Sequence, residues 1–208
     1  MSAAIRTISD FRKDHLKALA GLFLQVLKLC QKAGLVKLGH AALDGTNKPT
    51  DRGQAEPMME VVKTNTGQLP RQMSADGGYF STDAVKNLTT IGIDVYMPPD
   101  KISHADESSA PPTPRGRIPK NLSIVDRMRR KLRTKKGWER YGLRKELPEP
   151  VFGQLKQVRG FSQFLLRGPD KVSGEWKVIC TGHNLLKLFG AHRKGLLGRE
   201  ILAVTPVQ

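Results

Sequence analysis

Three carboxylates are the residues of this chain whose setting points to chemistry. Glu149 stands in Pro148-Glu149-Pro150-Val151-Phe152-Gly153-Gln154-Leu155-Lys156, directly after a segment dense in arginine and lysine. A carboxylate beside so much positive charge is expected to be ionised. Asp44, in Leu43-Asp44-Gly45-Thr46, and Asp76, in Ser74-Ala75-Asp76-Gly77-Gly78-Tyr79, each end an apolar run. An open α/β sheet puts its ligand site at the carboxyl ends of such strands. Three ionised carboxylates in a basic protein suit metal-dependent chemistry on a nucleic-acid phosphate. Each also has an ordinary reading: Asp-Gly after a strand is common turn chemistry, and Glu149 suits the first turn of its own helix. Asp83 and Asp94 are poorer candidates, the first placed for a helix N-terminus and the second within a strand.

Lys156 follows Glu149 by seven residues, two helical turns, so the two are expected to share a face. That pairing suits a metal-holding carboxylate beside a phosphate-holding ammonium, and equally an ordinary solvated face. The basic signal is more specific. The 208 residues carry 35 Lys and Arg against 19 acidic residues, a formal charge of +16, and the stretch from Arg115 to Lys145 holds 13 basic and 2 acidic residues, +11 of that total. A solvated face usually mixes signs, whereas Arg127, Arg129, Arg130, Lys131, Arg133, Lys135 and Lys136 have only Asp126 nearby in the sequence. Phosphate contact is the expectation for them. Trp138 and Tyr141 add aromatic surface for an unpaired base, although core packing would serve Trp138 as well. The five histidines show no ligand spacing, and a catalytic histidine is not expected.

The elements that must position these groups follow from periodicity. Leu16, Leu19, Phe23, Val26 and Cys30 recur at three or four residues and predict a helix from about Ser9 to Ala33, opened by the capping box Thr7-Ile8-Ser9-Asp10. Val36 to Asp44, Arg71 to Asp76 and Ile93 to Met97 read as strands, and Gly45 to Ala55 as a polar loop. Helices are expected over Pro57 to Lys63, from the Ser81 cap to about Thr89, over Asn121 to Lys136, from near Pro150, and from Asp170 to Phe189. The basic helix carries Leu122, Val125, Met128 and Leu132 on one side, and the last helix carries Val172, Trp176, Ile179 and Leu186. Residues 98–120, rich in Pro, Ser and charge, read as a mobile loop. The fold class is α/β. Cys30 and Cys180 form no zinc pair and read as buried free thiols, suited to a reducing cytoplasm. The most apolar stretch, Ala18 to Cys30, is too short and too polar for a bilayer.

At these residues the chain resembles the bacterial insertion-sequence transposases of the DDE type, whose catalytic domain is RNase H-like. The segments that carry the resemblance are RTISDFRKDHLKALAGLFLQVLKLCQKAGLVKLGHAALDGT, QLPRQMSADGGYFS with GIDVY, DRMRRKLRTKKGWERYGLRKELPEPVFGQLKQVRGFSQFLLRG, and EWKVICTGHNLLKLF, in family order. The resemblance implies an RNase H-like core with a reduced sheet over 35–190, preceded by the remnant of a helical region at 1–34 and followed by a tail at 191–208. It implies a catalytic and metal-binding triad of Asp44, Asp76 and Glu149. Many members carry Tyr and Arg before the glutamate and Lys seven residues after it, here Tyr141, Arg144 and Lys156, with phosphate binding at the transposon end as their role. Arg144 stands one residue farther from Glu149 than is usual. The family also has a longer helical region before RTISDF, and two antiparallel strands after the first aspartate. Here LDGT runs almost directly into NKPTDRGQAEPMMEVV. The chain thus resembles a transposase with a missing front and an internal deletion.

What the resemblance implies chemically is DNA cleavage and strand transfer with two divalent ions, Mg²⁺ or Mn²⁺. DNA, both transposon end and target, is the expected partner, with self-association on the DNA and a cytoplasmic, nucleoid-associated location in a bacterium. The alternative is an inactive, sequence-tolerant DNA-binding remnant. A basic RNA binder is a weaker third reading, because it gives no reason for the three carboxylates.

Overall fold

Three short parallel strands organise the part of the molecule that holds the two aspartates. In the computed structural model, which describes residues 10–45, 50–102, 112–119 and 121–197, they are β1 (His40–Ala42), β2 (Gln72–Ser74) and β3 (Asp94–Tyr96), in the order β1-β2-β3. Each lies inside an expected strand and is shorter than expected. Parallel neighbours need crossover helices, and the sequence supplies them. The N-terminal helix is α1 (Leu16–Lys32); β1 then leads through the polar loop to α2 (Ala55–Thr66), and β2 leads to α3 (Thr82–Thr90). Gly67 ends α2 in the left-handed conformation, φ 75°, and Ser81 Oγ accepts from the Ala84 N–H at 3.1 Å to open α3. Both devices are those the sequence announces.

Met73 and Ser74 of β2 and Val95 and Tyr96 of β3 are buried at successive positions, so both faces of the sheet are covered. Met59, Met73, Tyr79, Leu88, Val95 and Met97 form the centre of this core. β1 is an edge strand that pairs only with β2, and no strand occurs among the described residues between Leu43 and Gln54.

The basic segment folds as two helices, which corrects the single helix expected over Asn121 to Lys136. α4 (Ile124–Leu132) begins at Ser123, whose Oγ accepts from the Asp126 N–H at 3.0 Å, and α5 (Lys135–Glu146) begins at Thr134. Thr134 Oγ1 accepts from the Gly137 N–H at 2.9 Å and donates to the Lys131 carbonyl at 2.7 Å, so one hydroxyl closes one helix and opens the next. Met128 and Leu132 are buried on the expected side of α4, and α5 packs across the strands. The corner is tight. A β-carbon at Gly137 would lie 2.8 Å from the Lys131 carbonyl carbon and 2.9 Å from Thr134 Oγ1. Gly137→Ala is expected to destabilise this unit by about 1–3 kcal/mol, because backbone must move. Gly174→Ala, whose new methyl meets only the end of the Leu16 side chain, is expected to cost less. Paired thermal melts of the two variants check the order.

Leu38–Phe152 forms one compact unit, and the described parts of Met1–Lys37 and Gly153–Gln208 form the second. In the second, α1 packs against the long helix α7 (Pro169–Arg193), which follows the short α6 (Glu149–Gly153) and a π-helical stretch, Gln154–Val158. The apolar stripe expected on α1 is found: Val26 and Cys30 are buried, and Leu16, Leu19 and Phe23 are partly so. On α7 the expected stripe holds only in part. Ile179 is buried, but Leu186 is 55% exposed, and the covered face includes Gly174, Glu175, Thr181 and His183. Both cysteines are free thiols, but only Cys30 is buried as expected and Cys180 is partly exposed; desolvation pushes Cys180 up to about 11 and raises Cys30. Most of the capping box at Thr7 to Asp10, and residues 103–111 and 120 of the 98–120 loop, lie outside the described residues, and 112–119 has no regular structure.

Candidate functional site

The parallel register brings the two aspartates to one end of the sheet. Ala42 pairs with Ser74, and the Leu43 N–H donates to the Ser74 carbonyl at 2.9 Å. Asp44 and Asp76 each stand two residues beyond that pair, exposed, at the carboxyl ends of adjacent strands. Asp76 also has a local task. Its Oδ1 accepts from the Gly78 N–H at 2.9 Å and opens the 3₁₀ turn Gly77–Tyr79. The turn is close to the chain after β3, since a β-carbon at Gly77 would meet the Pro98 and Asp100 carbonyls at 3.3 Å.

A third aspartate, Asp51 of the polar loop, joins this end of the sheet. It lies so that a β-carbon on Gly78 would be 3.4 Å from its Oδ2 and 3.1 Å from Asp76 Oδ1. Tyr79, fully buried behind the turn, has its hydroxyl pushed well above the usual phenol range, by burial first and then by Asp51, Asp76 and Asp44. Nothing in the local sequence Thr50-Asp51-Arg52-Gly53 marks Asp51 except that an acidic residue follows the first aspartate by seven positions.

Glu149 is the first residue of α6, exposed, and its side chain takes no hydrogen bond or ion pair among the described residues. It is not one of the charges that act on Tyr79. A seven-residue spacing gives Glu149 and Lys156 a shared face only under α periodicity, which holds only to Gly153; Lys156 lies in the π-helical stretch. Among the described residues, no three acidic, histidine or cysteine side chains are grouped so as to hold a metal ion. Asp44 and Asp76 nevertheless suit one divalent ion, because Mg²⁺ commonly keeps several waters and takes one or two carboxylates. The two-ion arrangement needs Glu149 to join them, and the described side chains do not provide that.

The basic residues divide into two groups. Arg129 grips Asp100 through Nε at 2.6 Å and Nη2 at 2.8 Å, and Asp126 through Nη1 at 2.9 Å. Its guanidinium holds the Asp100 carboxyl below the usual range. Lys131 pairs with Asp94, donates to the Val95 carbonyl at 2.6 Å and lies 4.0 Å from the centre of the Tyr96 ring. Arg130 donates to the Arg115 and Gly116 carbonyls. These three tie α4 to the sheet and to the preceding loop. Arg127, Arg133, Lys135 and Lys136 are exposed, with no side-chain partner among the described residues. Tyr141 corrects the expectation of a base-stacking ring: it is 4% exposed and belongs to the core, with Trp138 packed against the same cluster. Arg144 lies over it, 4.7 Å from the ring centre. An aromatic residue on the sheet-facing side of α5 has no open ring face to offer.

A cavity of about 540 Å³ in the helical unit is lined by Arg12, Arg159, Phe161, Leu165, Glu175 and Ile179 among others, and contains none of the predicted site residues. No helix among the described residues is long and apolar enough to cross a membrane.

The structure thus defines a mixed α/β protein with two aspartates in register at the carboxyl ends of its parallel strands. Residues 116–189 match the family described as the transposase DDE domain, and this match supports a DDE-type transposase. The matched span contains Glu149, Lys156 and the basic helices; Asp44 and Asp76 precede it. Comparison with curated proteins and with solved structures gives no match.

Proposed function

We propose that the chain acts on DNA as a transposase of the DDE type built on a reduced RNase H-like sheet. Asp44 and Asp76 are its metal-facing pair, and Glu149 is the third carboxylate by resemblance. The observation that carries this reading is the register that places Asp44 and Asp76 at equivalent positions on adjacent parallel strands. A bound divalent ion would supply activation of water or a 3′-hydroxyl and relief of charge on the leaving oxygen. Asp44 and Asp76 provide hard oxygen donors at one edge of the sheet. Arg127, Arg133, Lys135 and Lys136 provide exposed charge for the DNA backbone, with Lys156 as a further phosphate contact by resemblance. Such contacts set register and not sequence. The cellular place that suits this reading is the bacterial nucleoid.

Purified protein incubated with supercoiled DNA and Mg²⁺ or Mn²⁺ tests the reading. Nicking that is lost in both Asp76→Asn and Glu149→Gln is the expected result for an active transposase. One observation favours a second reading, an inactive DNA-binding remnant: Glu149 is exposed and unpaired among the described residues, and it is not grouped with the aspartates. Tight, salt-sensitive DNA binding with no metal-dependent nicking would establish that second reading.

A further inference from the structure

The cavity of the helical unit holds about 540 Å³, within the roughly 300–1,000 Å³ common for small-molecule pockets. All its walls belong to that one unit. On one side stands α7, with Ile179, Gly182 and Leu186; on the other runs the loop after the π-helical stretch, with Phe161 and Leu165. The loop is held in place. Glu175 accepts from the Leu165 and Leu166 N–H groups, the Phe161 N–H donates to the Leu155 carbonyl at 3.0 Å, and the Phe164 ring meets Trp176 edge-on with centroids 6.2 Å apart. The cavity is therefore formed before any ligand arrives, and little ordering is needed on binding. Gly182 keeps it open. A β-carbon there would have no atom within 4 Å, although a helix interior favours alanine over glycine.

Charge selects the ligand. Among the described residues, the charged side chains lining the cavity are Arg12, Arg159 and Glu175. Arg12 pairs with Glu175 at 3.6 Å, and both Glu175 oxygens already accept from backbone N–H groups. The Arg159 side chain has no hydrogen bond or ion pair among the described residues. Two guanidiniums against one carboxylate leave a single positive charge, in a lining whose other side chains are mostly apolar. A planar guanidinium takes a carboxylate through two parallel hydrogen bonds. We propose that the cavity binds a small monoanion with an apolar body, a carboxylate on an alkyl chain or aromatic ring. The carboxylate lies on Arg159, and the apolar body lies between Phe161, Ile179 and Leu186. The proposal does not depend on the carboxylates of the sheet unit or on DNA.

The test uses a dansyl-labelled undecanoate, whose emission rises when it leaves water, titrated into the full chain. Saturable binding of one probe per chain is expected, displaced by decanoate and not by decyltrimethylammonium. Arg159→Gln is expected to weaken binding about tenfold or more, the scale for losing a charged hydrogen-bonding partner. Gly182→Leu, which fills the open space, is expected to abolish binding while the chain melts no lower than wild type. If that variant does melt lower, Leu186→Asn at an exposed position replaces it, with an expected loss of about tenfold. Arg167→Gln removes an exposed charge outside the cavity and should leave binding unchanged. No saturable binding by wild type, wild-type binding in Arg159→Gln or in the cavity variant, or equal displacement by the cationic competitor overturns the proposal. So does a loss in Arg167→Gln as large as in Arg159→Gln, which would mean that the probe adheres to the general positive charge of the chain.

Discussion

Replacing Arg127, Arg133, Lys135 and Lys136 together by alanine is expected to lower affinity for duplex DNA by about two orders of magnitude at low salt. The slope of log K against log salt should also become shallower, by roughly one unit for each phosphate no longer bound. These four side chains are exposed and have no partner among the described residues, so their charge is available to phosphates. Replacing Arg129 and Lys131 should behave differently. Arg129 holds Asp100 and Asp126, and Lys131 holds Asp94, the Val95 carbonyl and the Tyr96 ring. Removing these two is expected to lower the melting temperature and to leave the salt slope nearly intact. Filter binding or fluorescence anisotropy over a salt series distinguishes the two sets. An unchanged slope in the fourfold variant would remove α4 and the start of α5 from the DNA surface.

The largest single-residue effect on stability is expected at Glu175. This carboxylate is 5% exposed on α7, accepts from the Leu165 N–H at 3.0 Å and the Leu166 N–H at 3.0 Å, and pairs with Arg12 at 3.6 Å. Glu175→Ala removes the acceptor for two backbone donors and leaves Arg12 without this carboxylate. Leaving a buried backbone donor without its acceptor costs about 1–3 kcal/mol each, against a domain stability of about 5–15 kcal/mol. Glu175→Gln keeps an acceptor oxygen and should lose less. Urea unfolding of both variants gives the order. Because residues 38–152 form a unit of their own, the effect should fall on one phase of unfolding if the two units melt separately. Equal stability in Glu175→Ala and wild type would mean that the loop at 160–166 is not held by this carboxylate.

The local punctuation of the sheet unit is legible in the sequence, because each signal is a single residue with one physical task. Ser81 caps a helix, Gly67 and Gly92 take positive φ beyond helix ends, and Asp44 and Asp76 follow their strands. The helix break at Thr134 is hidden by charge. A segment crowded with Arg and Lys reads as one basic helix, while the deciding feature, Gly137 against the Lys131 carbonyl, is set by packing at the corner. Tyr141 is masked in a similar way: its neighbours are basic, but its place on α5 faces the sheet. Leu186 shows the limit of periodicity on a helix of 25 residues, whose covered face drifts to small and polar side chains such as Gly174 and Thr181. Asp51 carries no local mark, because its approach to the Gly77–Tyr79 turn is set by packing and not by the residues beside it.

The pairing of α1 with α7 has a consequence for how the chain is made. α1 is made well before its packing partner, which begins only at Pro169. At about 5–20 residues per second, the interval is on the order of ten seconds. The sheet unit is continuous from Leu38 to Phe152 and can close on itself within that time. The apolar face of α1, with Val26 and Cys30 at its centre, cannot. A nascent chain stalled before Pro169 therefore presents that face uncovered, and is the form in which a chaperone that grips apolar helices would find this protein.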